Sequence, residues 1–283
     1  MQILKTVNEV RNFVDKNRKE GKTIGLVPTM GYLHEGHASL IRKSAKENDV
    51  TIVSVFVNPT QFGVNEDLDS YPRDLKNDEE VASKAGADVI FNPEVSEMYP
   101  KGYCTFTALE GEITGKLCGK SRPTHFRGVA TVVLKLFNIA EPDRAYFGQK
   151  DAQQLAVIKQ MVKDLNLRVE IRPCQIVRES DGLAKSSRNS YLSEEERAYA
   201  VCLSSALRTA ENAVKAGLLD SGKIKEIMSA VITKTTPMAE IDYIETVDAD
   251  TMADVPEIRD NTLIALAVKF PSARLIDNTV IHM

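Results

Sequence analysis

Eight consecutive residues, Val50 to Val57 (VTIVSVFV), carry no charge and are mostly β-branched. A half-exposed strand would alternate apolar and polar side chains; an unbroken run of this kind fits a strand covered on both faces, as in a parallel sheet. Parallel neighbours need long crossover connections, so the run requires helices before and after it. The flanking sequence supplies them. Thr23 to Pro28 is a short apolar run before a turn, and Gly36 to Asn48 has helical spacing, which gives strand, helix, strand. The alternation continues through helical Asp78 to Ala85 and extended Asp88 to Phe91, then His125 to Ala140 and Arg144 to Phe147, then Ala152 to Leu165 and Arg168 to Pro173. A further helix, Asn8 to Glu20, precedes the first strand and ends at Gly21. This order predicts an α/β fold: a Rossmann-like open parallel sheet with helices on both faces.

After Ile176 the grammar changes. A polar loop, Arg178 to Ser190, leads to Ser193, and Glu196 three residues later completes a capping box for a long helix to about Ala216. A second helix, Lys223 to Thr233, is followed by three extended runs, Ile241 to Val247, Leu263 to Phe270 and Arg274 to His282. Helices followed by strands predict a smaller C-terminal α+β domain. The expected domains are therefore residues 1–176 and 177–283.

With 283 residues and 43% hydrophobic content, the chain has enough apolar surface for two such lobes. A net charge of -4 argues against nucleic acid or an anionic membrane surface as partner, since both require clustered cations. The longest apolar candidate, Val129 to Ala140, is interrupted by Lys135 and is too short to span a bilayer. Met1 to Lys22 is charged throughout and lacks the apolar segment of a signal peptide, so a cytoplasmic location is expected. Cys104, Cys118, Cys174 and Cys202 show neither metal-binding nor disulfide-framework spacing.

Two segments carry chemistry. Leu33-His34-Glu35-Gly36-His37 follows the first long strand, outside its carboxyl end, where open α/β sheets bind ligands. Two imidazoles three residues apart at a helix start face the positive end of its dipole and suit anionic oxygens. A pair of capping histidines would have the same spacing. The second segment is Lys185-Ser186-Ser187-Arg188-Asn189, in which two cations and two hydroxyls form a candidate phosphate clamp. An ordinary polar linker would have the same composition.

Together the two segments resemble the HIGH and KMSKS signatures of the nucleotidyltransferase superfamily. Longer blocks narrow the match. Pro28 to His37 (PTMGYLHEGH), Phe56 to Phe62 (FVNPTQF), Tyr71-Pro72-Arg73, His125 to Val129 (HFRGV), Phe147 to Gln154 (FGQKDAQQ), Asp181 to Asn189 (DGLAKSSRN) and Ala273 to Asn278 (ARLIDN) occur in the order found in pantothenate synthetases, and the chain resembles that family over nearly its whole length. Position 185 is often apolar in the family and is Lys here; position 149 is often Glu and is Gln here.

The resemblance implies ATP-dependent condensation of pantoate with β-alanine through a pantoyl adenylate, with Mg²⁺, releasing pyrophosphate and then AMP. It implies an ATP site built from Met30, Gly31, Tyr32, Leu33, His34, Glu35, Gly36 and His37, from Gly148, Gln149, Lys150 and Asp151, and from Val177, Lys185, Ser186, Ser187 and Arg188. Of these, His34, His37, Lys150, Ser186, Ser187 and Arg188 would act on the phosphates, Asp151 on the ribose and the Val177 backbone on adenine. Gln61 and Gln154 would grip pantoate, with Asn58 beside them. Which residues would hold the Mg²⁺ is left open, and family members are typically homodimers. Arg73, Arg122, His125 and Arg127 are expected as surface charge, or as part of a flap or subunit contact. Two alternatives stay open: another adenylyltransferase of the superfamily with a different small acceptor, and a nucleotide-sensing domain. A tRNA synthetase would need an anticodon-binding region that this sequence lacks.

Overall fold

The computed structural model describes residues 1–64 and 66–283. The chain opens with β1 (Gln2–Leu4), α1 (Val7–Lys19), β2 (Ile24–Thr29), α2 (Glu35–Glu47) and β3 (Val50–Val55). It continues through α3 (Leu75–Ala85), β4 (Val89–Phe91), the short helices α4 (Val95–Met98), α5 (Glu112–Gly115) and α6 (Leu117–Ser121), and then α7 (His125–Ala140) and β5 (Arg144–Gly148). After α8 (Ala152–Asp164) and β6 (Glu170–Cys174) come α9 (Glu194–Tyr199), α10 (Cys202–Lys215) and α11 (Ser221–Thr235). Three strands close the chain, β7 (Glu240–Asp248), β8 (Thr262–Lys269) and β9 (Arg274–Ile281).

Two compact units result. The first comprises residues 1–110, 122–149 and 157–175, and the second comprises residues 111–121, 150–156 and 176–283. The first unit contains a six-stranded parallel sheet in the order β1-β4-β3-β2-β5-β6. All six residues of β3 are buried, as the run of β-branched residues requires of a central strand. Moving along the chain, strands are added on one side of β2 up to β4, and the next long strand, β5, then pairs on its other side. The order therefore reverses between β2 and β5. In open α/β sheets the crevice at the carboxyl ends of the strands at such a reversal is the ligand site.

The second unit holds the antiparallel sheet β7-β8-β9 with α10 and α11 packed on a core that includes Leu203, Leu207, Ile224, Met228, Ile264 and Leu266. The single long helix expected from Ser193 to Ala216 is instead two. The capping box forms, with Ser193 Oγ accepting from Glu196 N–H (3.2 Å) and Ser193 N–H donating to Glu196 Oε2 (2.8 Å). At Ala200 and Val201 the regular α ladder gives way to an i to i+3 bond from Leu203 N–H to Ala200 O (3.3 Å). Ser204 Oγ also bonds back to Val201 O (3.1 Å), a side-chain bond that bends helices. Neither β1 nor the helices α4 to α6 are expected from sequence, because each is too short to show a period.

Candidate active site

The loop between β2 and α2 is held in an unusual conformation. Gly31 (φ +88°) and the non-glycine Tyr32 (φ +52°) are both left-handed, a state L residues resist. Asp78, pointing inward from α3, compensates by accepting from Tyr32 N–H (3.1 Å) and Leu33 N–H (2.6 Å). Burial of this carboxyl outweighs those two bonds and raises its pKa. A β-carbon at Gly31 would lie 2.9 Å from Asp78 Oδ2, so the close approach also needs glycine. Asp78 could not be singled out in the sequence, where it reads as one more acid on a charged helix.

The loop delivers His34 as the N-cap of α2 and His37 one turn into it, with ring centroids 4.1 Å apart. Gly36 N–H donates to His34 Nδ1 (3.1 Å), and His34 N–H donates to His37 Nδ1 (3.3 Å). The capping reading and the phosphate reading of this pair are thus compatible. Because each Nδ1 accepts a backbone proton, a neutral ring carries its own proton on Nε2, which makes Nε2 the donor of each imidazole.

Met30 joins this loop to the turn after β3, since Gln61 Nε2–H donates to Met30 Sδ (3.0 Å). Gln61 Oε1 accepts from Asn58 Nδ2 (3.0 Å), and the second Nδ2 hydrogen goes to Gly128 O (3.2 Å). Asn58 Oδ1 accepts from the Tyr99 hydroxyl (2.7 Å) and the Thr60 hydroxyl (2.9 Å). The Gln61 main chain is pinned as well. Its carbonyl accepts from His125 Nδ1–H (3.0 Å) and Arg122 Nη2–H (3.3 Å), and Arg122 Nη1–H donates to His125 Nε2 (3.3 Å). Arg122 is paired with Glu66. The expectation of surface charge at Arg122 and His125 is therefore corrected: both are largely buried and hold the turn that bears Gln61. Arg127 lies over the exposed Phe106 ring (4.6 Å), and Arg73 closes its own loop on the carbonyls of Leu68 (3.0 Å) and Tyr71 (3.1 Å).

Gly148 ends β5, on the far side of the reversal from His34, and Gln149, Lys150 and Asp151 form a 3-10 turn leading into α8. Within the second unit, Gln153 is buried and ties α8 to the Ile113 (3.0 Å) and Lys116 (2.8 Å) carbonyls, while Gln154 beside it is half-buried. The Lys185 segment is more structured than a linker. Lys185 N–H donates to Val177 O (2.9 Å) and Glu179 N–H to Leu183 O (2.8 Å), which makes a tight hairpin. Lys185 Nζ pairs with Glu179 (3.1 Å). Ser186 then caps a 3-10 turn over Ser187–Tyr191, its Oγ accepting from Arg188 N–H (3.3 Å), with Ser187 buried and Arg188 half-exposed.

A Rossmann-like sheet with paired histidines at the carboxyl end of its switch-point strand is the arrangement of a nucleotide-binding α/β protein. The family model for Pantoate-beta-alanine ligase matches residues 2–280, and the chain belongs to that family. It is 58% identical to the pantothenate synthetase of Acetivibrio thermocellus over 283 residues, covering 100% of both chains. It is also 58% identical to that of Enterococcus faecalis, covering 98% of each. The crystal structure of pantothenate synthetase from Thermus thermophilus matches with a TM-score of 0.95 at 41% identity over 100% of both chains. The pantoate-beta-alanine ligase of Francisella tularensis, complexed with beta-gamma ATP and beta-alanine, matches with a TM-score of 0.82 at 36% identity over 99% of this chain and 97% of that one.

Proposed function

We propose that the chain condenses pantoate with β-alanine in two steps, and that two groups of residues, one in each unit, serve the first step. A pantoate carboxylate oxygen attacks the α-phosphorus of ATP, the bond to the β,γ-pyrophosphate breaks, and pantoyl adenylate remains. The neutral β-alanine amine then attacks the acyl carbon, AMP leaves with the electron pair of the acyl-oxygen bond, and the nitrogen gives up one proton to solvent. Activation is needed because a free carboxylate offers only oxide as leaving group, and the adenylate must be kept from water.

In the first unit, His34 and His37 stabilise the charge that builds on the phosphates, through their Nε2–H groups and the helix start beneath them. Met30 to Gly36 supply backbone for the nucleotide. Gln61 presents its second Nε2–H to pantoate, because its Oε1 is engaged by Asn58 and its first Nε2–H by Met30 Sδ. A neutral amide orients the acid without pairing its charge, which leaves the nucleophile reactive. In the second unit, Lys150 places an ammonium on the phosphates, Asp151 takes the ribose, the Val177 backbone takes adenine, Gln154 takes pantoate, and Lys185, Ser186, Ser187 and Arg188 hold the leaving pyrophosphate. Among the described residues no cluster of three or more His, Cys, Asp or Glu is placed to hold a metal ion. Mg²⁺, as a hard cation, favours phosphate oxygens and water and would be carried by the triphosphate.

Among the described residues no helix is long and apolar enough to cross a membrane. We assign the enzyme to the cytoplasm and to a homodimer on the family resemblance; light scattering tests the latter. The observation that carries the catalytic reading is the pair of imidazoles with both Nδ1 atoms committed to backbone donors. His37→Ala and Lys150→Ala should each slow pantoate-dependent pyrophosphate release by at least ~100-fold, as loss of one transition-state donor does elsewhere. Rates within a few-fold of wild type would remove those residues from the mechanism.

A further inference from the structure

Asp277 and Asn278 lie side by side in β9, an edge strand of the second unit, and both are buried, at 2% and 5% exposure. Buried polar side chains need partners, and successive residues of a strand point to opposite faces, so each reaches a different segment. Asp277 takes the Arg178 guanidinium in two bonds, Nη1 to Oδ2 (2.6 Å) and Nη2 to Oδ1 (3.0 Å), and its Oδ1 also accepts from Asn278 N–H (2.8 Å). Arg178 Nη1 reaches on to Gly182 O (3.1 Å), across the hairpin that runs straight into Lys185. Asn278 Nδ2 donates to the main-chain carbonyl of Lys150 (2.8 Å).

The anchor itself is built into the sheet. Asp277 and Asn278 are in register with Leu266 and Ala265 of β8, within the unit's core. A fixed carbonyl at Lys150 limits how far its Cα can turn, and so where a long flexible side chain starts. The bidentate pair does the same for the base of the cationic loop.

We propose that Asp277 and Asn278 are positioning residues for pantoate adenylation, Asn278 acting through Lys150 and Asp277 acting through Arg178 on the Lys185–Arg188 loop. This rests on the phosphate-binding reading of Lys150 and that loop. Neither residue need touch a substrate. The anchoring gives a role to Asp277 and Asn278, which the reaction itself does not.

Two double-mutant cycles test it, each read as single-turnover pyrophosphate release at saturating ATP and pantoate, per folded molecule by circular dichroism. Asn278→Asp keeps the shape but turns a donor into an acceptor facing the Lys150 carbonyl; it should slow release about 10–100-fold, the scale of a misplaced catalytic group. If the carboxylate variant is unstable, Asn278→Ala reads the same bond without a buried charge. In a Lys150→Ala background the further loss should be under about two-fold, because the effect has lost its carrier. Likewise Asp277→Asn combined with Arg178→Gln should be no slower than the worse single variant. Losses that multiply in both cycles, or Asn278 variants within about two-fold of wild type per folded molecule, overturn the proposal. A Lys150→Ala enzyme as fast as wild type would instead overturn the assignment of Lys150 beneath it.

Discussion

The amide of Asn58 has no hydrogen-bonding capacity left over. Both donors and its oxygen are engaged within the first unit, and it is 1% exposed. In the proposed pantoate site it would therefore act through Gln61, whose amide it orients. The Thr60 N–H on Oδ1 (3.3 Å) and the Gly128 carbonyl on Nδ2 (3.2 Å) fix which way round Asn58 sits, and Tyr99 reinforces it with a hydroxyl hydrogen on Oδ1 (2.7 Å). Burial pushes the Tyr99 pKa up to about 12, so the donor persists across the working range of pH. Tyr99→Phe should raise the pantoate KM about five-fold, the value of one net hydrogen bond, with a smaller change in kcat. An unchanged KM would mean that Thr60 alone orients Asn58. At this scale the sequence was only partly legible. His34, His37 and the cationic loop stand out by residue type and spacing, whereas Asp78, Tyr99 and Arg122 act through burial and long-range partners, which no local pattern encodes.

Helix α7 illustrates what an element contributes to a site it does not itself form. Its expected bounds, His125 to Ala140, are those observed. The sequence does not reveal its packing against the turn that bears Gln61, where a β-carbon on Gly128 would fall 2.3 Å from Thr60 O and 2.5 Å from Gln61 N. Gly128→Ala should move that turn, costing about 1–3 kcal/mol of stability as overpacking does, and raising the pantoate KM at least ten-fold (about 1.4 kcal/mol). A variant with wild-type KM and a lowered melting temperature would show that the contact is structural only. The long periodic elements of the sheet were legible because burial on two faces dictates composition. The split between α9 and α10 was not, since it coincides with Ser204 bonding back to the Val201 carbonyl rather than with a breaker residue.

Across the whole molecule, paired carboxylates set the response to acid. Burial pushes Asp242 up, but the hydrogen bond and charge of Arg274 outweigh it and hold the carboxyl below its ordinary range. Glu66 is likewise raised by burial and lowered further by Arg122. A depressed carboxylate contributes stability that is present in full above its unfolded pKa, ~4, and is lost as pH falls through the folded value. Asp78, whose pKa is raised, contributes with the opposite sign, its share being lost as pH rises. Urea midpoints should therefore hold from neutrality to about pH 4–5 and fall below it, and Asp242→Asn should lower the midpoint at pH 7 while flattening the acid limb. A variant with an unchanged pH profile would contradict the pairing. One chain is expected both to make and to consume the acyl adenylate. Mixing enzyme with MgATP and pantoate, and adding β-alanine only later, separates the halves. A burst of pyrophosphate stoichiometric with enzyme is expected in the first stage, and AMP release only in the second. Pyrophosphate that appears only once β-alanine is present, or appears with other hydroxy acids but not with pantoate, would contradict it.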